Sequence, residues 1–425
     1  MSITVRHVDL GAPEAAVECE GLVYTVFWWG ELPLGARLAH SRELPFGPGQ
    51  CRAIAIELLT EQLKAREPAL GAPLSATHEG SPRYVLTLDS ALTVDDLLQK
   101  IELMAQPSSA SAADISLVIC TRDRIAGLTS CLQSIEQLRV QPGEVIVVDN
   151  SDTGSARSVC EQFATVIYVH ESRPGLSIAR NTGIRTATKN IIAFTDDDVE
   201  VHPGWLAEIA RAFAATDADA ATGLVLPACL DTPAQCSFQF DFGGFGSQYL
   251  PLLFGSTFFN ETRPFGVQVW RIGAGANMAF RRTAFERAGL FDERLGAGAS
   301  GCSEDSEFWY RLLAHGGTCI YEPRAVVFHK HRREWSELKK QLRTYMRGHV
   351  SALVAQADEF GDAGNWRRMV WQLPKYFAHT LLQGLRQWRP DRLALLVDEV
   401  VGWFCGLRYA ISPKWRAAGI KSRDQ

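Results

Sequence analysis

Nowhere in its 425 residues does the chain carry eighteen apolar residues in a row. The nearest stretch, 393–411, is broken by Asp398, Glu399 and Arg408, so it is not expected to cross a bilayer. Ten cysteines contain no C-x-x-C pair and have no histidine at zinc spacing, which argues against a zinc module or a dithiol redox centre. They read as reduced, mostly buried thiols. Neither sign of charge dominates: 43 Lys/Arg meet 48 Asp/Glu, a net −5, and no nucleic-acid partner is expected. Residues 1–7 lack the charged-then-apolar layout of a secretion signal. Together these absences point to the cytoplasm.

What is present is ordinary for a globular protein, 46% hydrophobic and 21% charged, with room for two or three units. The charge is unevenly spread. Residues 364–425 hold eleven Lys/Arg against four Asp/Glu, a basic tail on an acidic body. Such a tail suits an anionic surface, including the inner face of a membrane, or is simply a solvated helical face.

Residues 106–113, small and polar without periodicity, read as a linker. Before them, 1–105 reads as a small α+β module of unknown role, with a strand at 24–29 and a helix at 50–64. After them the pattern alternates. Apolar strands at 115–120, 145–148, 166–169, 191–195 and 220–226 are separated by helical stretches at 128–138, 156–163, 178–188 and 205–215. That alternation predicts an α/β unit over 114–335 with a mainly parallel sheet, whose ligands collect beyond the carboxyl ends of the strands. Residues 236–265 are aromatic and glycine-rich, with no regular structure legible. From 336 to 425 the pattern is helical, with amphipathic segments near 335–356, 366–386 and 391–410.

Three groups of polar residues fall at the expected strand ends: Thr121 to Arg124, Asp149-Asn150, and Asp196-Asp197-Asp198. Three adjacent carboxylates repel one another unless a cation or hydrogen-bond donors sit among them, and oxygen ligands suit Mg2+ or Mn2+. A helix N-cap is the plain alternative for the triplet.

Six segments fall in order along residues 113–335: 116–124, 147–151, 174–183, Phe194-Thr195-Asp196-Asp197-Asp198, 273–282, and Ser303-Glu304-Asp305-Ser306-Glu307-Phe308. Through them the chain resembles glycosyltransferase family 2, the inverting nucleotide-sugar transferases of Rossmann-like GT-A fold. The resemblance implies that Asp198 is the principal ligand of a divalent cation, that Asp196 contacts ribose or metal, and that Asp197 lies in the donor site. Thr121, Arg122, Asp149, Arg180 and Asn181 would surround the nucleotide sugar. His329 would add a metal ligand, with His331 facing away. Asp305 would be the base that deprotonates the acceptor hydroxyl, with Glu304, Gly275 and Asn277 on the acceptor side.

Structural readings stand beside these: a turn for Asp149, a helix start for Arg180, Asn181, Glu304 and Asp305, and a packed ring for His329. The implied activity is a non-processive transfer of one sugar, a UDP-sugar by preference, to a hydroxyl acceptor that is lipid-linked or a secondary metabolite. A sugar-nucleotidyltransferase and a non-catalytic nucleotide-sugar-binding protein are the rival readings.

Overall fold

The computed structural model of the chain describes residues 2–12, 21–40, 48–64, 94–246, 248–413 and 415. Part of the N-terminal module and the end of the basic tail thus lie outside the described residues. Three strands come first: β1 (Thr4–Asp9), β2 (Leu22–Trp29) and β3 (Leu32–His40), with β2 in the middle. β2 is rich in β-branched and aromatic residues, and its side chains alternate between two cores. Phe27 packs with Leu34, Leu58 and Ile101 under the helices Pro48–Lys64 and Val94–Ala105. Tyr24, Val26 and Trp28 enter the core of the larger sheet behind. The expected linker has no helix or strand but is pinned down: the Ser108 hydroxyl donates to the Ala207 carbonyl at 3.2 Å, and Ala112 is fully buried.

The larger sheet contains β4 (Ile115–Thr121), β5 (Glu144–Asp149), β6 (Val166–His170), β7 (Ile191–Asp196), β8 (Val199–Val201), β9 (Ala220–Pro227), β10 (Leu252–Phe254), β11 (Asn277–Arg281) and β12 (Cys319–His329). Its order is β10-β12-β9-β11-β7-β4-β5-β6, with β8 paired to β12. β4, β5, β6, β7, β9 and β12 run one way, and β8, β10 and β11 the other. The strands read as unbroken apolar runs because both faces are covered. Val118, Ile146 and Phe194 enter one core, Leu117, Val147 and Ala193 the other. The α/β class, the mostly parallel sheet and the helical C-terminal region are as the sequence led us to expect.

One stretch without a legible pattern is regular, and one local expectation fails. The stretch 236–265 contains the end of helix Pro233–Asp241, then β10, then helix Ser256–Thr262. The first helix starts from a capping box of Thr232 and Gln235 with a proline in its first turn, a signal lying upstream of the aromatic stretch. The helix expected at 156–163 shrinks to Arg157–Cys160.

The C-terminal region is a helix Trp335–Phe360, then Ala363–Arg367 running through a widened turn, Arg368–Gln372, into Leu373–Arg386, then Pro390–Ala410. Val350 and Leu353 pack with Met369, Leu373 and Ala410. Among the described residues, no helix is long and apolar enough to cross a membrane.

Candidate functional site

A cavity of about 1400 Å3 opens at the carboxyl edge of β4, β5 and β7. Three aspartates crowd one wall, each differently held. Asp197 is buried, accepting from the Thr121 hydroxyl at 2.7 Å and from Arg124 at 3.0 Å. Burial raises its carboxyl to about 6 despite Arg124 beside it. Asp198 gives one oxygen to Arg124 at 2.7 Å, with Arg332 at 3.5 Å, and the other lies 3.4 Å from His329 Nε2. Burial opposes its ionisation, but His329, Arg124 and Arg332 outweigh it and hold the carboxyl below its ordinary range. Asp196 faces the cavity, with its side chain 33% exposed and one oxygen 3.3 Å from Arg180. Desolvation at the cavity floor raises its carboxyl.

Arg180 joins the two halves of the site. It is 2% exposed, and its guanidinium donates to Glu304 at 2.5 Å, to Asp196 at 3.3 Å and to the Gly275 carbonyl at 3.4 Å. The expectation of a guanidinium free for base or phosphate is therefore corrected, since two carboxylates already hold it. Glu304 is almost wholly buried, its second oxygen has no partner, and burial raises its carboxyl to about 7. Asp305 is the second residue of the helix Glu304–Ala314. Its Oδ2 accepts from the Gly275 amide at 2.8 Å and its Oδ1 from the Ser306 amide at 2.6 Å. Two amide donors, one on each oxygen, fix the orientation of this carboxylate on the cavity wall.

Four expectations turn inward. Asp149 is fully buried and accepts from the Ser151 and Ala156 amides and the Tyr168 hydroxyl, so it braces its own loop, and its neighbour Asn150 lines the cavity instead. Asn181 exchanges hydrogen bonds with the Phe291 backbone at 2.9 Å both ways. Asn277 accepts from Trp205 Nε1 and donates to the Leu224 and Ala325 carbonyls, tying β11 to β9 and β12 rather than meeting an acceptor. His331 does not face away. β12 ends at His329, the alternation stops there, and the two Nδ1 atoms lie 3.0 Å apart. Burial lowers both imidazoles, His331 to about 3.

Among the described residues, no three His, Cys, Asp or Glu side chains converge as a metal cage. The expected trio of Asp198, Asp196 and His329 does not converge: Asp198 lies 3.4 Å from His329, whereas Asp196 lies 3.3 Å from Arg180. Arg122 sits at the rim, 3.2 Å from Asp152. Sequence reasoning assigned no role to Arg124, which pairs with Asp197 and Asp198, or to Arg332, which pairs with Asp198. It also missed the far wall of the cavity: Trp270, Tyr345, His349, Arg368, Gln372 and Tyr376. Arg124 was legible as a cation beside a strand end; the far wall carried no comparable signal.

Residues 116–289 match the model of glycosyl transferase family 2. The pre-mycofactocin glycosyltransferase of Mycobacterium tuberculosis is 29% identical over 241 residues, 54% of this chain and 46% of that protein. The succinoglycan biosynthesis protein ExoM of Rhizobium meliloti is 30% identical over 228 residues, 50% of this chain and 65% of that protein. The chain thus spans about half the length of the first relative and under two thirds of the second. A solved structure, mannosyltransferase PcManGT from Pyrobaculum calidifontis in complex with GDP-Man and Mn2+, superposes with a TM-score of 0.48 at 17% identity, over 71% of this chain and 90% of that one. With its motif segments gathered around one cavity, the stretch 116–289 of this chain is similar to glycosyl transferase family 2.

Proposed function

We propose that the chain moves a single sugar from a nucleoside-diphosphate sugar to an acceptor hydroxyl, with inversion at the anomeric carbon. The observation carrying this is Asp305, held by the Gly275 amide on the wall of the cavity that contains Asp196, Asp197 and Asp198. Asp305 takes the hydroxyl proton as that oxygen attacks from the side opposite the leaving diphosphate. Arg180 and Glu304 hold the Asp196 and Asp305 walls together, so that the two substrates meet at one spacing.

A divalent cation fits the donor half. Asp198 and His329 would be the side chains that hold it, as oxygen and imidazole donors suited to Mg2+ or Mn2+. Bound there, the ion would offset the negative charge gathering on the departing diphosphate. Arg124 and Arg332 lie against the same aspartate and supply cationic charge beside it. Uridine as the donor base is carried from the family resemblance.

We infer that the protein runs this reaction in the cytoplasm, resting on the inner face of the membrane, and the exposed residues of the last helices support this reading. Trp371, Leu382 and Trp388 are 67%, 67% and 85% exposed, and the exposed Lys375, Arg386 and Arg389 flank them, the make-up of an interfacial helical surface.

The test is Asp305→Asn, assayed against a panel of nucleotide sugars with and without Mn2+. Transfer should fall by at least ~1000-fold while nucleoside-diphosphate binding stays within ~3-fold. Undiminished turnover would overturn the assignment of the base.

A further inference from the structure

Away from the aspartates, the cavity runs between Trp270 and the C-terminal helices, and there it contains a cation without an anion. The Arg368 guanidinium lies 3.9 Å over the Trp270 ring. Its Nε donates to His349 Nε2 at 3.1 Å and its Nη1 to Gln372 Oε1 at 3.2 Å. No Asp or Glu among the described residues is placed to pair with it, and burial alone draws its pKa down to about 10. Arg124, Arg180 and Arg332 of the same cavity each lie within 3.5 Å of a carboxylate. A half-buried charge surrounded only by neutral partners is costly to keep, unless an anion arrives to match it.

The backbone here is built for placement. Pro374 has no N–H to offer the Val370 carbonyl and its ring crowds that oxygen, and the helix widens into one π turn, Arg368–Gln372. That turn sets Arg368 and Gln372 toward the cavity while Val370 and Trp371 between them are 61% and 67% exposed. Trp270 lies five residues before Gly275, and the helix carrying His349 accepts from Cys302 at the Thr344 and Tyr345 carbonyls, beside Glu304. The cluster therefore sits on the acceptor side.

We propose that Arg368, with Trp270, His349 and Gln372, forms a subsite for a phosphate group carried by the acceptor, whose apolar chain leaves over Val370 and Trp371. This rests on the transfer reading above and names the acceptor class: a lipid-linked phosphate. Guanidinium Nη atoms and the Gln372 amide give donors suited to phosphate oxygens, and Trp270 keeps the guanidinium plane fixed.

The experiment titrates the full chain with decyl phosphate below its micelle threshold, followed by tryptophan fluorescence and calorimetry. Parallel arms use inorganic phosphate, decanoate and decanol. Decyl phosphate should bind tightest, inorganic phosphate should compete with it, and Arg368→Gln should weaken it at least tenfold. Gln372→Ala, a milder change, should weaken it about threefold. Nucleoside-diphosphate affinity should stay unchanged in both variants, and their thermal unfolding is compared with wild type.

Wild-type affinity in both variants would overturn the proposal. Decanol equal to decyl phosphate would reduce the site to an apolar groove, and decanoate equal to it would remove the phosphate preference; either result overturns it too. A parallel loss of nucleotide affinity would reassign Arg368 to the donor. Because binding is read without turnover, a chain that binds decyl phosphate as described yet transfers no sugar would sink the transfer reading and leave the subsite standing.

Discussion

The Gly275 amide donates to Asp305 Oδ2 at 2.8 Å, so a glycine on the loop before β11 sets where the proposed base stands. A Cβ at this position would lie 2.9 Å from Arg180 Nη2 and 3.1 Å from Asp305 Oδ2. Gly275→Ala should therefore lower kcat by roughly 10–100-fold while donor KM moves less than ~3-fold, because displacement of the base affects the transition state more than nucleotide binding. Steady-state kinetics checks this. An unchanged kcat would mean that the position of Asp305 does not limit the reaction.

Asp198 is the counterpart on the proposed metal side. Asp198→Asn keeps the shape but removes the charge shared with Arg124 and His329. It should weaken Mn2+-dependent nucleoside-diphosphate binding by at least ~10-fold, about 1.4 kcal/mol, and EDTA should do the same to wild type. Calorimetry with and without Mn2+ decides it. Equal affinity in all three conditions would remove the metal from donor binding.

Far from the chemistry, Arg324 makes a two-pronged contact with Glu322, at 2.8 and 2.9 Å, and lies 3.5 Å from Glu208. All three are at most 3% exposed. Arg324→Ala leaves acids buried with Arg211 as the remaining cation near them, and should cost about 3–5 kcal/mol in urea unfolding. Arg324 also donates to the Met104 carbonyl at 3.0 Å, so the N-terminal module should loosen in the same variant, read as faster amide exchange in β2.

His349 makes stability depend on pH. Burial, then the Arg368 charge, lowers its imidazole to about 3, against 6.5 in an unfolded chain. Between those values the unfolded state holds the extra proton. Stability contributed by the neutral ring is thus complete above pH 6.5 and lost as pH falls toward 3, at up to about 1.4 kcal/mol per pH unit. His349→Gln should flatten that part of the Tm-versus-pH curve. A curve identical to wild type would mean that the ring is protonated as readily when folded.

The exposed apolar surface of the last helices gives a prediction of another kind. Replacing Trp371, Leu382 and Trp388 together by serine should reduce binding to vesicles containing anionic phosphatidylglycerol by at least ~10-fold, and raising salt should weaken the wild type. Flotation measures both. Equal binding to purely zwitterionic vesicles would remove the basic residues from the interaction.

The strands were legible because a sheet covered on both faces leaves continuous apolar runs, and the aspartates were legible because they interrupt such a run at its end. Which polar residues face the cavity was not. Asp149 and Asn150 are adjacent, yet only the second lines the cavity wall, because the turn after β5 draws the aspartate inward to its amides. Asn181 and Asn277 were misplaced for the same reason: an amide side chain serves a ligand or a neighbouring backbone equally well, and only packing decides. His331 was misread because alternation was carried past the last residue of β12. The wall around Arg368 was illegible because it is assembled from helices distant in sequence, whose periodicity marks an inner face without saying what that face covers.

The π turn also sets a phase. A residue added to a helix advances everything after it by about 100°. The face bearing Leu381, Leu382 and Leu385 therefore points where it does only because the ladder slips once at Arg368–Gln372. Deleting one residue from that turn would leave every side chain of the later helix chemically unchanged and rotate the greasy rim away from the charged wall, uncoupling two surfaces that no substitution could separate so cleanly.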